Sequence, residues 1–300
     1  MKGVAGAPVS FGVFEMTADG RLATPDEVLG SLRDAGYDAV DLGPVGWMGD
    51  AEHIGDRLRQ YHLTLCGGWV DLPFSDNEAF EAALPALDEA LEIFLAAKEV
   101  DPARPPLPTL ADSGSAQRRA NPGGRAPGIG LDEEGWRRLA ANLQTAAGRV
   151  RDAGLEPTFH HHVGTYVETP YEIGQLLDRT DIGLTLDTGH LLLGGGDPVD
   201  ALGWVGDRMN HVHVKDAYLN VLEKAVDEGA DMRTVWERGV FPTLGAGDLD
   251  LAGFMNALMA GGFDGWIVVE QDVVPTGNGL PAQAAADQRT NREALRRWAP

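Results

Sequence analysis

Eight short apolar runs, each followed by a longer stretch of helical periodicity, limit what this chain can fold into more tightly than any other feature. The strand-like runs lie at 3–12 (GVAGAPVSFG), 38–43 (DAVDLG), 63–71 (LTLCGGWVD), about 107–112, 155–162 (LEPTFHHH), 182–187 (IGLTLD), 209–215 (MNHVHVK) and 265–271 (GWIVVEQ). Helical patterns fall between and after them, at 25–35, 51–61, 77–99, 132–153, 170–179, 198–207, 249–261 and 281–298. Two of these helices announce their starts. Thr24-Pro25-Asp26-Glu27 and Thr169-Pro170-Tyr171-Glu172 each combine an N-cap hydroxyl, a proline at the first helical position and a glutamate at the third. Strands that alternate with helices are joined by crossovers and so lie parallel. Eight such units predict an α/β protein of the (β/α)₈ TIM-barrel type.

No linker interrupts the pattern, so residues 1–300 read as a single barrel domain with two irregularities. The segment at about 101–130 is rich in proline and glycine and reads as one short strand followed by a long loop. The stretch at about 216–248 is an insertion long enough for a helix of its own at about 219–237, placed to cover the barrel mouth. Composition removes several function classes. The 46 acidic against 24 basic residues give a formal net charge of −22, which would repel a polyanion over most of the surface. The cluster Arg118, Arg119 and Arg125 is too small to reverse that, so nucleic acid is not an expected partner. No run of 18 or more apolar residues is present to span a membrane. The N-terminal stretch reads as a first strand rather than a signal peptide. Cys66 is the single cysteine, which rules out an intramolecular disulfide and a cysteine-based zinc site, and a cytoplasmic location is expected.

Chemistry in such barrels sits at the C-terminal ends of the strands. The unusual polar residues of this chain fall there on four consecutive strands: His160 and His162 end the fifth, Asp187 the sixth, with His190 just beyond, His213 the seventh and Glu270 the eighth. A charge placed after several apolar strand residues is expensive to bury unless it is paired or holds a metal. Carboxylates and imidazoles without thiolate suit a divalent ion, Mn²⁺, Co²⁺, Mg²⁺ or Zn²⁺. The expected ligands are Asp187, His213 and Glu270, with a fourth from the fifth-strand segment. Period-two alternation puts His160 and His162 on one side of that strand and His161 on the other, where packing or a hydrogen bond is its expected role. His211 shares the face of His213 but lies deeper, and reads at least as well as a core histidine.

The segments LDTGH (186–190), HVHVKD (211–216), LGAGDLD (244–250) and GFDGWIVVEQD (262–272) resemble those of the xylose-isomerase-like TIM-barrel superfamily. Within it, GVAGAPVSFGVFE, DLGPVGW, the HxHxGTxxE pattern of 160–168 and the closing GWIVVEQD are similar to the inosose dehydratase family. The resemblance implies a metal-dependent dehydratase of a cyclic polyol ketone, a hydro-lyase working through an enediolate, with Mn²⁺ or Co²⁺ favoured. Many superfamily members carry a metal-binding glutamate where His160 stands, so Glu168 is expected to fold back as the fourth ligand. His160 and His162 would then reach metal or substrate. His190 is expected to act as acid–base, with His162 or Glu270 as its partner. Lys215 is expected either to bind a substrate hydroxyl or carbonyl or to pair with Asp216 or another carboxylate. Phe11 stands where the family usually has Trp, and Asp41 where Glu is usual; both positions should line the substrate pocket.

An isomerase or epimerase of a free ketose is the alternative reading, and a non-catalytic sugar-binding protein a more distant one. An endonuclease is disfavoured by the acidic surface and the shortage of suitably placed histidines. The expected partner is a small polyol or sugar without phosphate, since no glycine-rich phosphate loop or arginine pair lies near the site. Trp204 and the 216–248 insertion offer apolar surface through which a homodimer or higher oligomer could form.

Overall fold

The computed structural model describes residues 1–300 except 15–22, 125 and 276–279. Eight parallel strands close into a barrel in the order of the chain: β1 (Gly3–Gly6), β2 (Ala39–Asp41), β3 (Thr64–Leu72), β4 (Leu107–Asp112), β5 (Thr158–His160), β6 (Gly183–Asp187), β7 (Met209–Val214) and β8 (Trp266–Val269). Closure is made by β8 against β1, with Gly3 opposite Trp266 and Gly6 opposite Val269. Around the barrel run α1 (Pro25–Ala35), α2 (Ile54–Tyr61), α3 (Asn77–Lys98), α4 (Ala116–Arg119), α5 (Glu133–Asp152), α6 (Pro170–Arg179), α7 (Thr188–Leu193), α8 (Pro198–Val205), α9 (Leu219–Asp227), α10 (Met232–Glu237), α11 (Leu251–Ala260) and α12 (Leu280–Ala294). This is the TIM barrel expected from the alternation.

Local chemistry explains where the elements start and stop. Both anticipated capping boxes form, Thr24 with Glu27 and Thr169 with Glu172, each with its proline in the first turn. The first strand is shorter than its apolar run. Pro8 cannot donate to a ladder, and residues Pro8–Phe11 turn into a 3-10 helix. The fifth strand is likewise confined to Thr158–His160, just after Pro157. Inside the barrel, Gly67 has no side chain because a Cβ there would meet the Leu107 carbonyl at 2.9 Å and His211 Nε2 at 3.3 Å. His211 fills that space, fully buried, as a core histidine.

The 216–248 insertion holds two helices rather than one. Gly229, at φ +66°, ends the first, and Asp231 caps the second through the Thr234 N–H. Its apolar side chains are not surface. Leu222, Ala225, Met232, Val235 and Trp236 pack with Val163, Leu193 and Phe241 into a second core over the barrel mouth. The insertion therefore does not supply the exposed apolar face expected of it, whereas Trp204 on α8 remains 43% exposed. Among the described residues no helix is long and apolar enough to cross a membrane.

Candidate metal centre and substrate cavity

The barrel delivers four side chains to one point because β5, β6, β7 and β8 are neighbours in register. His160 sits opposite Thr185, Asp187 opposite His213, and His213 opposite Val268, two residues before Glu270. His160, Asp187, His213 and Glu270 each offer a donor atom, and these atoms lie within 4.8 Å of one another. His160 Nε2 is 3.3 Å from Asp187 Oδ2, and His213 Nδ1 is 3.2 Å from Glu270 Oε2 and 3.7 Å from Asp187 Oδ2. Among the described residues neither ring nitrogen of His213 finds a hydrogen-bond partner, although both are buried. His160 Nε2 is hydrogen-bonded to Asp187 Oδ2, but the close His213 contacts lack hydrogen-bond geometry, as donor atoms that face a common point do. Two donors ~2.1 Å from one ion sit at most ~4.2 Å apart, so a small inward movement fits this set to a divalent cation.

Asp187 divides its oxygens between two tasks. Its Oδ1 accepts the His190 N–H at 2.8 Å and caps α7, which leaves Oδ2 to the donor ring. The main-chain N–H of Asp187 donates to His161 Nε2 at 3.2 Å. His161 is thus the hydrogen-bonded histidine on the outer side of β5, as its alternation suggested.

Lys215 is fully buried beside the ring. Its Nζ lies 3.3 Å from Asp187 Oδ2, 3.0 Å from Glu270 Oε2 and 2.8 Å from Asp272 Oδ1. Burial works against the ammonium, but the three carboxylates outweigh it and hold Lys215 protonated. Burial likewise disfavours charge on Asp187 and Glu270, yet Lys215 and the histidines keep both carboxyls well below the usual carboxylate range. Of the two roles open to Lys215 in the sequence, the salt bridge is present, to these carboxylates rather than to Asp216. Asp216 instead accepts backbone N–H groups of Ala217, Gly245, Gly247 and Leu249.

His190 and His162 lie next to each other, with ring centroids 3.7 Å apart. They differ in access. His190 is fully buried behind the cavity wall, and its Nε2 is 3.0 Å from Lys215 Nζ. An ammonium can only donate, so this nitrogen accepts and His190 carries its proton on Nδ1. His162 lines the cavity. Its Nδ1 is 2.7 Å from the Val163 carbonyl, to which it must donate, so the Nε2 lone pair is left free. Burial, with help from the Lys215 charge, pushes His162 down to about 4 and keeps that lone pair available at neutral pH. Together His162, His190 and Asp272 form a second group of potential ligands, but the Lys215 ammonium already contacts two of them.

Glu168 is not with the ring. Its Oε2 pairs with Arg118 Nη2 at 3.0 Å and accepts the Gly164 N–H at 3.2 Å, while its Oε1 accepts the Gly123 N–H. Arg118 also forks onto Glu172, Nη1 to Oε1 at 2.8 Å and Nη2 to Oε2 at 2.9 Å. Glu168, expected to complete the metal site, lies apart from the donor ring with its carboxylate held by Arg118 and two backbone N–H groups, and His160 is the fourth residue of the ring. The arginine cluster dissolves as well. Arg118 is buried in this triad, Arg119 Nη1 donates to the Ser113 carbonyl, and Arg125 lies outside the described residues.

Above the ring opens a cavity of about 870 Å³, lined by His160, His162, His213, Lys215 and Glu270 together with Asp41, Asp71, Asp112, Trp69 and Trp236, among others. Asp41 lines it as expected; burial, chiefly, pushes its carboxyl up to about 6. Phe11 does not line it and is buried in the main core. Sequence reasoning missed Asp272, Asp112 and Trp236. Asp272 is two residues beyond Glu270, and Asp112 ends β4 as Asp187 ends β6, so the rule that singled out Asp187, His213 and Glu270 would have singled out these two. Trp236 carries no local signal: its Nε1–H reaches Asp272 Oδ2 at 3.2 Å from the insertion.

A family model for the xylose isomerase-like TIM barrel matches residues 29–298. The chain belongs to that family. Among its relatives, the inosose dehydratase of Geobacillus kaustophilus is 30% identical over 285 residues, 90% of this chain and 87% of that protein. Two solved structures share the barrel. The probable 3-DHS dehydratase AsbF of Bacillus anthracis superposes with a TM-score of 0.70 at 12% identity, covering 99% of each chain. A D-allulose 3-epimerase from Methylomonas sp. superposes with a TM-score of 0.67 at 18% identity, covering 99% of this chain and 97% of that one. At these identities both likenesses speak for the fold alone.

Proposed function

We propose that this protein is a metal-dependent dehydratase acting on a cyclic polyol ketone. The arrangement that carries the reading is a free imidazole nitrogen, His162 Nε2, turned into the same cavity as a four-donor ring on β5–β8. The whole-length likeness to an inosose dehydratase favours dehydration over epimerisation.

His160, Asp187, His213 and Glu270 would hold the ion, with Mn²⁺ or Co²⁺ the best candidates for a set of two imidazoles and two carboxylates. When bound, a divalent ion polarises a ketone oxygen and a neighbouring hydroxyl as a Lewis acid. The residues do the rest. His162 takes the proton from the carbon beside the ketone through Nε2, while its Nδ1–H, tied to the Val163 carbonyl, keeps the ring in place. The β-hydroxyl leaves as water with a proton from the Lys215–Asp272 pair, where 2.8 Å separates Nζ from Oδ1. His190 does not line the cavity, so its role is positional. It fixes Lys215 through Nε2 and backs the His162 ring, and the acid–base role expected of it passes to His162 and Lys215. A cytoplasmic location accords with a single, buried cysteine.

The test is incubation of the Mn²⁺-loaded protein with 2-keto-myo-inositol and, separately, with free ketoses, followed by mass spectrometry. Loss of a water-sized mass from the cyclic ketone is the expected result. Conversion of a ketose to an isomer of unchanged mass, with the cyclic ketone untouched, would replace this reading with an epimerase.

A further inference from the structure

On the strand next to β5, where Ala111 lies opposite His160, Asp112 ends β4 with a carboxylate only half used. It is 1% exposed and lines the cavity. Its Oδ2 accepts the N–H groups of Gly114 at 2.9 Å and Tyr166 at 3.0 Å. Its Oδ1 is buried and, among the described residues, has no hydrogen-bond partner. The loop is shaped around this carboxylate: Gly114 adopts φ +67°, and any side chain there would strike the Gly164 carbonyl. Beside it, Ser113 Oγ donates to Asp71 Oδ2 at 2.8 Å, and Asp71 Oδ1 accepts the Trp69 Nε1–H at 3.2 Å. The Trp69 ring in turn meets His160 and His162 edge-on, with centroids 5.3 and 5.2 Å away. The acidic pair is thereby linked, through one indole, to the chemistry.

A buried acceptor without a donor is costly, and it persists where function supplies the donor. From the cavity that donor is an O–H or N–H of a bound molecule. An anionic group would be repelled, since Asp41 and Asp71 line the same space. Arg119 also lines it, but its guanidinium is tied to the Ser113 carbonyl. We propose that Asp112 Oδ1 is a hydroxyl-binding subsite, accepting an O–H of a neutral polyhydroxylated ring bound in this cavity and so selecting the substrate. The assignment rests on the polyol-ketone reading of this cavity.

Binding of myo-inositol, which lacks the ketone, tests the subsite without turnover. Calorimetry on the Mn²⁺-loaded protein should show Asp112→Asn weakening it about 10–100-fold, because the amide presents a donor where the carboxylate accepted. Ser113→Ala should cost only a few-fold. Mn²⁺ stoichiometry should match that of the unchanged protein, and both variants should still melt in a single cooperative transition. In a series of singly deoxygenated inositols, one isomer should bind the unchanged protein weakly and lose nothing further in Asp112→Asn, which a merely structural role would not produce. Equal binding by Asp112→Asn, uniform weakening of every deoxy isomer, or no inositol binding at all overturns the subsite. Should Asp112→Asn not fold, the deoxy series on the unchanged protein decides: no isomer weaker than myo-inositol overturns it. Selective inositol binding with no dehydration of 2-keto-myo-inositol would leave the subsite standing and remove the dehydratase reading instead.

Discussion

Two buried charge clusters flank the end of β5 and are finished to different degrees. In the first, Arg118 lies between Glu168 and Glu172, and all four carboxylate oxygens accept hydrogen bonds from its guanidinium or from backbone N–H groups. In the second, the ring of His160, Asp187, His213 and Glu270, buried imidazole nitrogens remain without partners. Both bury carboxylates beside basic side chains at similar depth. Among the described residues the first leaves over only Arg118 Nε, a donor that no cation can use, and holds the loops after β4 and β5 together, whereas the second leaves over imidazole nitrogens able to bind a cation the chain does not contain. Burial of charge therefore identifies neither; the leftover atoms do.

The largest expected effect breaks the closed cluster. Arg118→Met should lower stability by ~3–5 kcal/mol, because two carboxylates are stranded in the interior. Mn²⁺ affinity, measured in the fraction that remains folded, should hardly change. Glu168→Gln should also leave Mn²⁺ affinity in place; a collapse of metal binding there would return Glu168 to the ligand set and erase the distinction.

Next comes the open cluster. Glu270→Gln keeps the shape and removes a charge, so turnover should fall ~10²–10³-fold, equivalent to ~3–4 kcal/mol of barrier. The ion should bind more weakly, and the metal-free protein should melt somewhat lower, because the ionised carboxylate also pairs with Lys215 and His213. Excess chelator should abolish turnover, and Mn²⁺ or Co²⁺ should restore it. Full activity in chelator would mean that these donors serve only one another.

The smallest effect concerns Asp112, whose half-used carboxylate places it with the open group. Burial pushes its carboxyl up to about 6, above the ordinary carboxylate range. Its folded-state value is the higher one, so ionisation is penalised in the native state. That penalty is absent below ~pH 4 and complete above ~pH 6, and stability falls as pH rises between them. Asp112→Asn should therefore be more stable than the unchanged protein by up to ~2 kcal/mol near ~pH 8 and show no gain near ~pH 4. Denaturant titrations at both pH values check this. An equal gain at each would attribute the effect to packing instead of charge.

The barrel was legible because its evidence is local and repeated. Each strand declares itself within a few residues, and the capping boxes at Thr24 and Thr169 mark their helices outright. Asp187, His213 and Glu270 were legible for a related reason, since a charge closing an apolar run shows without knowledge of its neighbours. The place of Glu168 was not legible because it depends on Arg118, fifty positions earlier in a proline- and glycine-rich segment that reads as loop. The depth of His190 was hidden because it lies one turn into α7, where strand alternation no longer tells which side faces the cavity. Trp236 reaches the site from an insertion, and nothing near it in the chain points there.

The divided carboxylate of Asp187 sets limits on how this protein can drift. One oxygen closes a short loop onto the His190 N–H and the other serves the donor ring. Asparagine would keep the loop and lose the charge. Glutamate would keep the charge, but its extra methylene suits the cap poorly. Two unrelated demands thus meet on one side chain, and few neutral paths lead away from it. His160 bears no such second duty: it offers the ring one nitrogen, and no other residue makes a hydrogen bond to its second. Descendants of this barrel that change their metal or their reaction are therefore expected to do so by exchanging residue 160, with residue 187 as the fixed point around which the rest of the site is rewritten.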